Sequence, residues 1–266
     1  CRVLDIDIEI DTQGPVLGMS GWKERLDAQH RPLFGAIIKP KSGLNMDQYM
    51  SIVKDMVYGG ADFIKEDEIM AHNLYLPLEK RVEAVEHLKN ISGWKGFFAY
   101  CINADPMELL GNIKKIHYHT CTSNVVGGCH INFWSGLGAY TTARGFDIAT
   151  HYQRSGIRIL TDPSNKYSVS WPVLVKLGCM AGVDSMHVGM LGGYYPEGES
   201  EEETLEAISI CEKYDVIPSL SCGMNPVLAR EIKERIGNNF MASVGGWLHT
   251  GDSLIKKVKE MRESLD

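Results

Sequence analysis

Residues Asp62 to Glu68, DFIKEDE, set one lysine among four acids at the end of a short apolar run. Ala61, Phe63 and Ile64 give the run the character of a core strand, and Gly59-Gly60 ahead of it reads as a helix stop. Charges placed there cost desolvation energy unless they are paired or bind a metal. Lys65 and Asp67 are two apart, so on a strand they share one face, and Glu68 follows where the strand turns into a loop. Two carboxylates suit a hard cation such as magnesium. A neutral lysine amine beside them can add carbon dioxide and become a carbamate, a third anionic oxygen ligand. The simpler alternative is a solvated strand end in which Lys65 is paired to a neighbour.

Such a cluster needs a scaffold that brings strand ends together. Apolar runs at 32–39, 62–67, 96–103, 124–132, 157–162, 183–190, 216–223 and 240–246 read as strands. Between them lie segments such as MDQYMSIVKDMVYGG and SEEETLEAISICEKYD, whose apolar residues recur at three and four, as in amphipathic helices. Pro77, Pro106 and Pro226 fall near helix starts, and Ser200 with three following glutamates suits a helix N-terminus. Eight strand–helix units predict an α/β fold, a (β/α)8 TIM barrel over 31–266, with its site at the C-terminal strand ends. Residues 1–30 read as a lead-in segment packed outside the barrel. An open doubly wound sheet is the alternative, but IIKPKSGL lacks its glycine-rich phosphate fingerprint.

The strand ends carry a polar constellation. Strand one ends in Lys39-Pro40-Lys41, strand two in Lys65, Asp67 and Glu68, strand three in Asn103, and strand six in His187. Strand seven ends in Ser221-Cys222-Gly223 and strand eight in Gly245-Gly246. His130, on strand four, and Asp162, after the fifth run, stand equally as site or packing residues.

A 266-residue chain that is 44% hydrophobic can bury a full core. A net charge of −7 argues against a nucleic-acid binder while leaving room for a local basic pocket. No apolar run has the length of a membrane span. Seven cysteines without a CxxC pair suit buried thiols in a reducing cytoplasm, the expected location. The chain opens at Cys1 and is expected to be a piece of a longer one.

RPLFGAIIKPKSGL and GGADFIKEDE, followed in order by YCINA, AGVDSMHVG, PSLSCGM and SVGGWLHTG, resemble signature stretches of the ribulose-bisphosphate carboxylase (RuBisCO) superfamily, RuBisCO-like proteins (form IV) included. The resemblance implies a catalytic barrel without the family's N-terminal α/β domain, working as a homodimer or larger homo-oligomer. It implies that Lys65 is carbamylated and binds one Mg2+ with Asp67 and Glu68. Lys39 then handles protons, Lys41 supports it, and His187 contacts a substrate phosphate or hydroxyl. Asn103, Ser221, Gly223, Gly245 and Gly246 serve substrate and phosphate binding. Two departures stand out. GMLGGYYPEGES after strand six puts Tyr194 or Tyr195 where the carboxylases have a lysine, and LTDPSNK replaces their His-Arg pair after strand five. The expected activity is magnesium-dependent enolisation of a phosphorylated ketose-like substrate, ending in isomerisation or decarboxylation. A genuine carboxylase with an unusual loop and a non-catalytic barrel kept for assembly are the alternatives.

Overall fold

Period-two alternation decides which side chains fill the centre of this molecule and which face its helices. The computed structural model describes residues 1–8, 13–71, 73–121, 126–192, 200–251 and 253–266. Eight parallel strands close into a barrel. They are β1 (Leu33–Ile37), β2 (Phe63–Lys65), β3 (Phe97–Cys101), β4 (Gly128–Asn132), β5 (Ala149–Gln153), β6 (Ser185–Gly189), β7 (Ile217–Leu220) and β8 (Met241–Val244). The ring closes where Met241 of β8 pairs with Leu33 of β1. Ile37, Lys65 and Ala99 share one register level across β1, β2 and β3. His130 and His151 share another across β4 and β5.

Local signals start and stop the surrounding helices as the sequence predicts. Asn45 and Gln48 form a reciprocal capping box ahead of helix Met46–Gly59, which stops at left-handed Gly60. Ser200 and Glu203 do the same for helix Glu201–Lys213. Pro106 and Pro226 stand in the first turns of their helices.

The fifth strand is a correction. Residues 157–162 are not a strand: Arg158–Thr161 is a short helix with Asp162 at its C-cap, and the barrel strand is Ala149–Gln153. Its sequence, ATHYQ, turns His151 and Gln153 toward the barrel centre. A strand lining a polar interior shows no apolar run.

Alternation yields two cores. Phe34, Ala36, Ile64, Phe98, Tyr100 and Met186 face the helices in the outer annulus. Leu33, Phe63, Phe97, Ala149, Ile217 and Met241 fill the barrel floor together with Met19 and Trp22 from the lead-in helix Gly18–Arg25. Trp22 stacks on Phe97 with ring centroids 5.0 Å apart. That helix is held by Asp184 at the foot of β6. Its buried carboxylate accepts from the backbone N–H groups of Val16, Leu17, Gly18 and Thr150 and from the Trp22 indole. Gly18 has φ +66°, and a Cβ there would lie 2.4 Å from the Asp215 carbonyl, so only glycine permits this docking. Among the described residues no helix is long and apolar enough to cross a membrane.

Candidate active site

The acids of DFIKEDE separate in three directions. Asp62, below β2, takes a two-pronged ion pair from buried Arg31 at 2.5 and 2.8 Å and accepts from the Phe34 amide at 2.8 Å. Glu66 faces the helices, fully buried, and is shared by Arg81, the Tyr49 hydroxyl at 2.5 Å and the Cys101 amide at 2.7 Å. Both are structural, because every charge is matched inside the protein. Lys65, Asp67 and Glu68 turn to the barrel mouth.

There the charges pair crosswise. The Lys65 ammonium lies 3.4 Å from Glu68 Oε2, and Lys39 at the end of β1 pairs with Asp67 Oδ2. Ser155, after β5, reaches Glu68 Oε1 at 3.4 Å. Asn103 donates to the Glu68 carbonyl at 3.3 Å and accepts from the Asn132 amide at 2.6 Å, fastening the Glu68 loop to β4. Burial pushes the Glu68 carboxyl upward, but Lys65 beside it, with help from a backbone N–H, outweighs that and brings it down to about 2.

A cavity of about 770 Å³ opens over this cluster. Lys39, Lys65, Glu68, His187, Ser221, Gly223, Gly245 and Gly246 line it, so eight residues marked from the sequence share one space. Asp67 stands behind Lys39, and Asn103 acts through the Glu68 loop. Lys41 is exposed and outside the lining. Gly246 opens a short 3-10 turn after β8, where an added Cβ meets no atom within 4 Å.

Beneath the cavity lies a row of buried imidazoles. His187 Nδ1 contacts Ser221 Oγ at 3.3 Å and Ser219 Oγ at 3.4 Å, and Ser219 bonds Ser243 at 2.7 Å. The His187 ring meets His151 edge to face at 4.8 Å, and His151 Nδ1 bonds Ser185 Oγ at 2.8 Å. His130 completes the row, 6.5 Å from His151. Burial holds all three rings neutral, with Lys65 adding to the effect, and His187 falls to about 3.

The corrected fifth strand changes the electrostatics of the mouth. Gln153, Arg154, Ser155 and Arg158 line the cavity. Arg154 lies over the Trp171 ring at 4.2 Å and donates to the Val188 carbonyl at 3.3 Å. Asp162, read from the sequence as the charge at this position, instead pairs with Arg158 at 3.4 Å and caps Ser164. A cation therefore does stand after strand five, contrary to the reading from LTDPSNK. The signal was present in QRSG, a polar run closed by a glycine, but the misplaced strand hid it. Tyr194, Tyr195, Glu197 and Glu199, after β6, lie outside the described residues.

Comparison with known proteins gives the family and the fold. The catalytic-domain model of the ribulose bisphosphate carboxylase large chain matches residues 18–214. The chain is 26% identical over 286 residues to a ribulose bisphosphate carboxylase of Archaeoglobus fulgidus, covering 96% of this chain and 63% of that protein. It is 30% identical over 207 residues to the 3-oxo-isoapionate-4-phosphate decarboxylase of Rhizobium rhizogenes, covering 74% of this chain and 47% of that one. It thus spans less than two thirds of the length of either relative. A rubisco-like protein from Burkholderia fungorum has the same fold, with a TM-score of 0.84 at 24% identity over 99% of this chain and 68% of its own. Octameric Rubisco from Pyrococcus horikoshii superposes with a TM-score of 0.87 at 21% identity, over 100% of this chain and 67% of its own. With the family match covering most of a closed eight-stranded barrel, the chain belongs to the ribulose bisphosphate carboxylase large-chain family.

Proposed function

We propose that this barrel enolises a phosphorylated ketose-like substrate with the help of magnesium, and that the enediolate is then reprotonated at another carbon or formed by loss of carbon dioxide. The observation that carries this is the crossed pairing of Lys65 with Glu68 and Lys39 with Asp67 at one cavity wall. Membership of the family supports an enzymatic role, and the decarboxylase relative supports the second outcome.

The donor set fits a hard cation on one condition. Among the described residues no group of three histidine, cysteine or acidic side chains is placed to hold a metal. Asp67 and Glu68 supply two carboxylates, so the third anionic oxygen has to come from Lys65 as a carbamate. A bound magnesium ion would polarise the substrate carbonyl and its neighbouring hydroxyl. The protein residues do the rest. Lys39, freed from Asp67, is a candidate base at the cavity wall, and the carbamate on Lys65 is another. His187, neutral and held through Nδ1 by two serines, offers Nε2 to a substrate hydroxyl. Gly223, Gly245 and Gly246 leave room for a phosphate to approach the backbone.

A screen of phosphorylated ketoses and sugar acids in deuterated water tests this. Magnesium- and bicarbonate-dependent exchange of a carbon-bound proton is the expected result. Exchange that ignores both additions would remove the reading.

One observation favours a second reading, a true carboxylase. Arg154 follows β5, which lies across the barrel from β1, so cations stand on opposite sides of the cavity, as a substrate with two anionic ends needs. Radiolabelled bicarbonate with ribulose bisphosphate discriminates the two.

A further inference from the structure

We propose that His130 is a positioning residue for Lys65, donating a ring N–H to the carboxylate that carbon dioxide forms on the lysine. This rests on the reading of Lys65 as a carbamate and adds the group that holds it.

His130 has no solvent exposure, and neither of its ring nitrogens has a hydrogen-bond partner among the described residues. The Ala99 carbonyl on β3 is near enough to act on the ring but does not meet hydrogen-bond geometry. Any tautomer of a neutral imidazole carries one N–H, so a donor is buried without an aligned acceptor. Buried groups of this kind in a folded protein call for an explanation. The neighbouring His151 repeats the pattern, with Nδ1 on Ser185 and Nε2 unpartnered.

The charges acting most strongly on His130 are those of Lys65 and, after it, Glu68. An ammonium has three donors and no acceptor, so an unmodified Lys65 cannot satisfy an imidazole N–H. Addition of carbon dioxide reverses this. The ammonium first gives one proton to solvent; the amine lone pair then forms the N–C bond, one C=O pair moves onto oxygen, and the nitrogen releases a second proton to solvent. The product presents anionic oxygens to a wall that already holds unused donors. Hydrogen bonds to charged acceptors in a water-poor site are the strong ones. The imidazoles, kept neutral by burial, therefore form a cradle suited to the modified lysine better than to the free one.

The test uses the whole chain, ¹³C-bicarbonate and magnesium, with the carbamate followed by its ¹³C signal and His130 by ¹⁵N resonances. In the wild type a carbamate signal absent from Lys65→Arg is expected, together with a His130 ¹⁵N shift that appears only with bicarbonate. His130→Phe should raise the bicarbonate needed for half-occupancy by about tenfold or more, while His130→Gln, which keeps an N–H, should recover most of it. Thermal unfolding of each variant establishes that it folds. Should His130→Phe fail to fold, the wild-type ¹⁵N shift decides alone. Unchanged occupancy in a folded His130→Phe, or a His130 resonance indifferent to bicarbonate, would overturn the proposal while leaving the carbamate in place. A wild type that forms no carbamate would remove the reading of Lys65 and this inference with it.

Discussion

Lys65 and Glu68 face each other at 3.4 Å across the turn that ends β2, while Glu66, between them in sequence, points the opposite way into the helix layer. Two residues of backbone separate a carboxylate locked to Arg81, Glu66, from one that borders the cavity, Glu68. The lysine's partner is thus a group that a cation could take over, and the proposed function rests on that exchange.

Replacing Lys65 tests it directly. Both Lys65→Ala and Lys65→Arg should lower magnesium-dependent proton exchange by about a hundredfold or more, since arginine keeps the charge but forms no carbamate. Exchange rates measured with and without bicarbonate are the readout. Activity retained by the arginine variant would mean that the lysine serves as a cation only.

Gly246 separates binding from folding. A Cβ there meets no protein atom, so Gly246→Val should leave the unfolding free energy within about 1 kcal/mol of wild type. The same side chain projects beside the expected phosphate and should raise KM for a phosphorylated substrate by about tenfold. A matched pair of substrates, with and without the phosphate, shows whether the loss follows the anion.

The buried histidines set the acid limit of the fold. His187, at about 3, and His130 and His151, lowered by burial, all sit below the ordinary value of 6.5. The unfolded chain therefore binds protons that the folded chain refuses. Stability from these groups is complete above pH 6.5 and is lost as pH falls toward their folded values. Each histidine contributes a slope of up to about 1.4 kcal/mol per pH unit in that window. Urea unfolding of wild type and His151→Gln at pH 7, 6, 5 and 4 should show a shallower slope in the variant. Parallel slopes would mean that the ring is protonated in the folded state.

Asp184→Ala should destabilise the fold by about 3–5 kcal/mol, because five N–H donors, three of them in buried hydrogen bonds, lose one shared acceptor. Chemical denaturation measures it. A change below about 1 kcal/mol would mean that the lead-in helix is held by its apolar contacts and its bonds to Asp215 and Asn238 without need of Asp184.

Carbon dioxide fixation onto ribulose bisphosphate is expected to be weak or absent. GMLGGYYPEGES contains no lysine and two glutamates where a cation would stabilise the incoming carboxylate. The companion argument from strand five no longer holds, since Arg154 stands in the mouth. Robust incorporation of labelled bicarbonate into acid-stable product would mean that a cation such as Arg154 substitutes.

The sequence made seven of the eight strands legible because their outward faces are uniformly apolar, as Phe34, Ile64 and Phe98 show. It failed at β5, where Thr150 and Tyr152 stand on the outward face in place of aliphatic residues and the nearby Ile157, Ile159 and Leu160 mimic a strand. The error carried into the site: placing the strand late moved its end from Arg154 to Asp162 and inverted the charge there. Lys39 and Lys65 were legible because each follows an apolar run directly, Glu68 because it closes the acidic cluster behind Lys65, and His187 because it falls near the end of a strand-like run. His130 was not, since one histidine in a strand looks the same whether its nitrogens are used or idle.

Among the described residues, the stacking of Trp22 on Phe97 closes the floor of the barrel, so the cavity opens away from it like a cup. On the proposed function, substrate and product would share that opening and use it in turn. A departing product occupies the route of the next substrate, so inhibition by product should be competitive. Any covering that closes the mouth would also trap a reactive intermediate with no second way out.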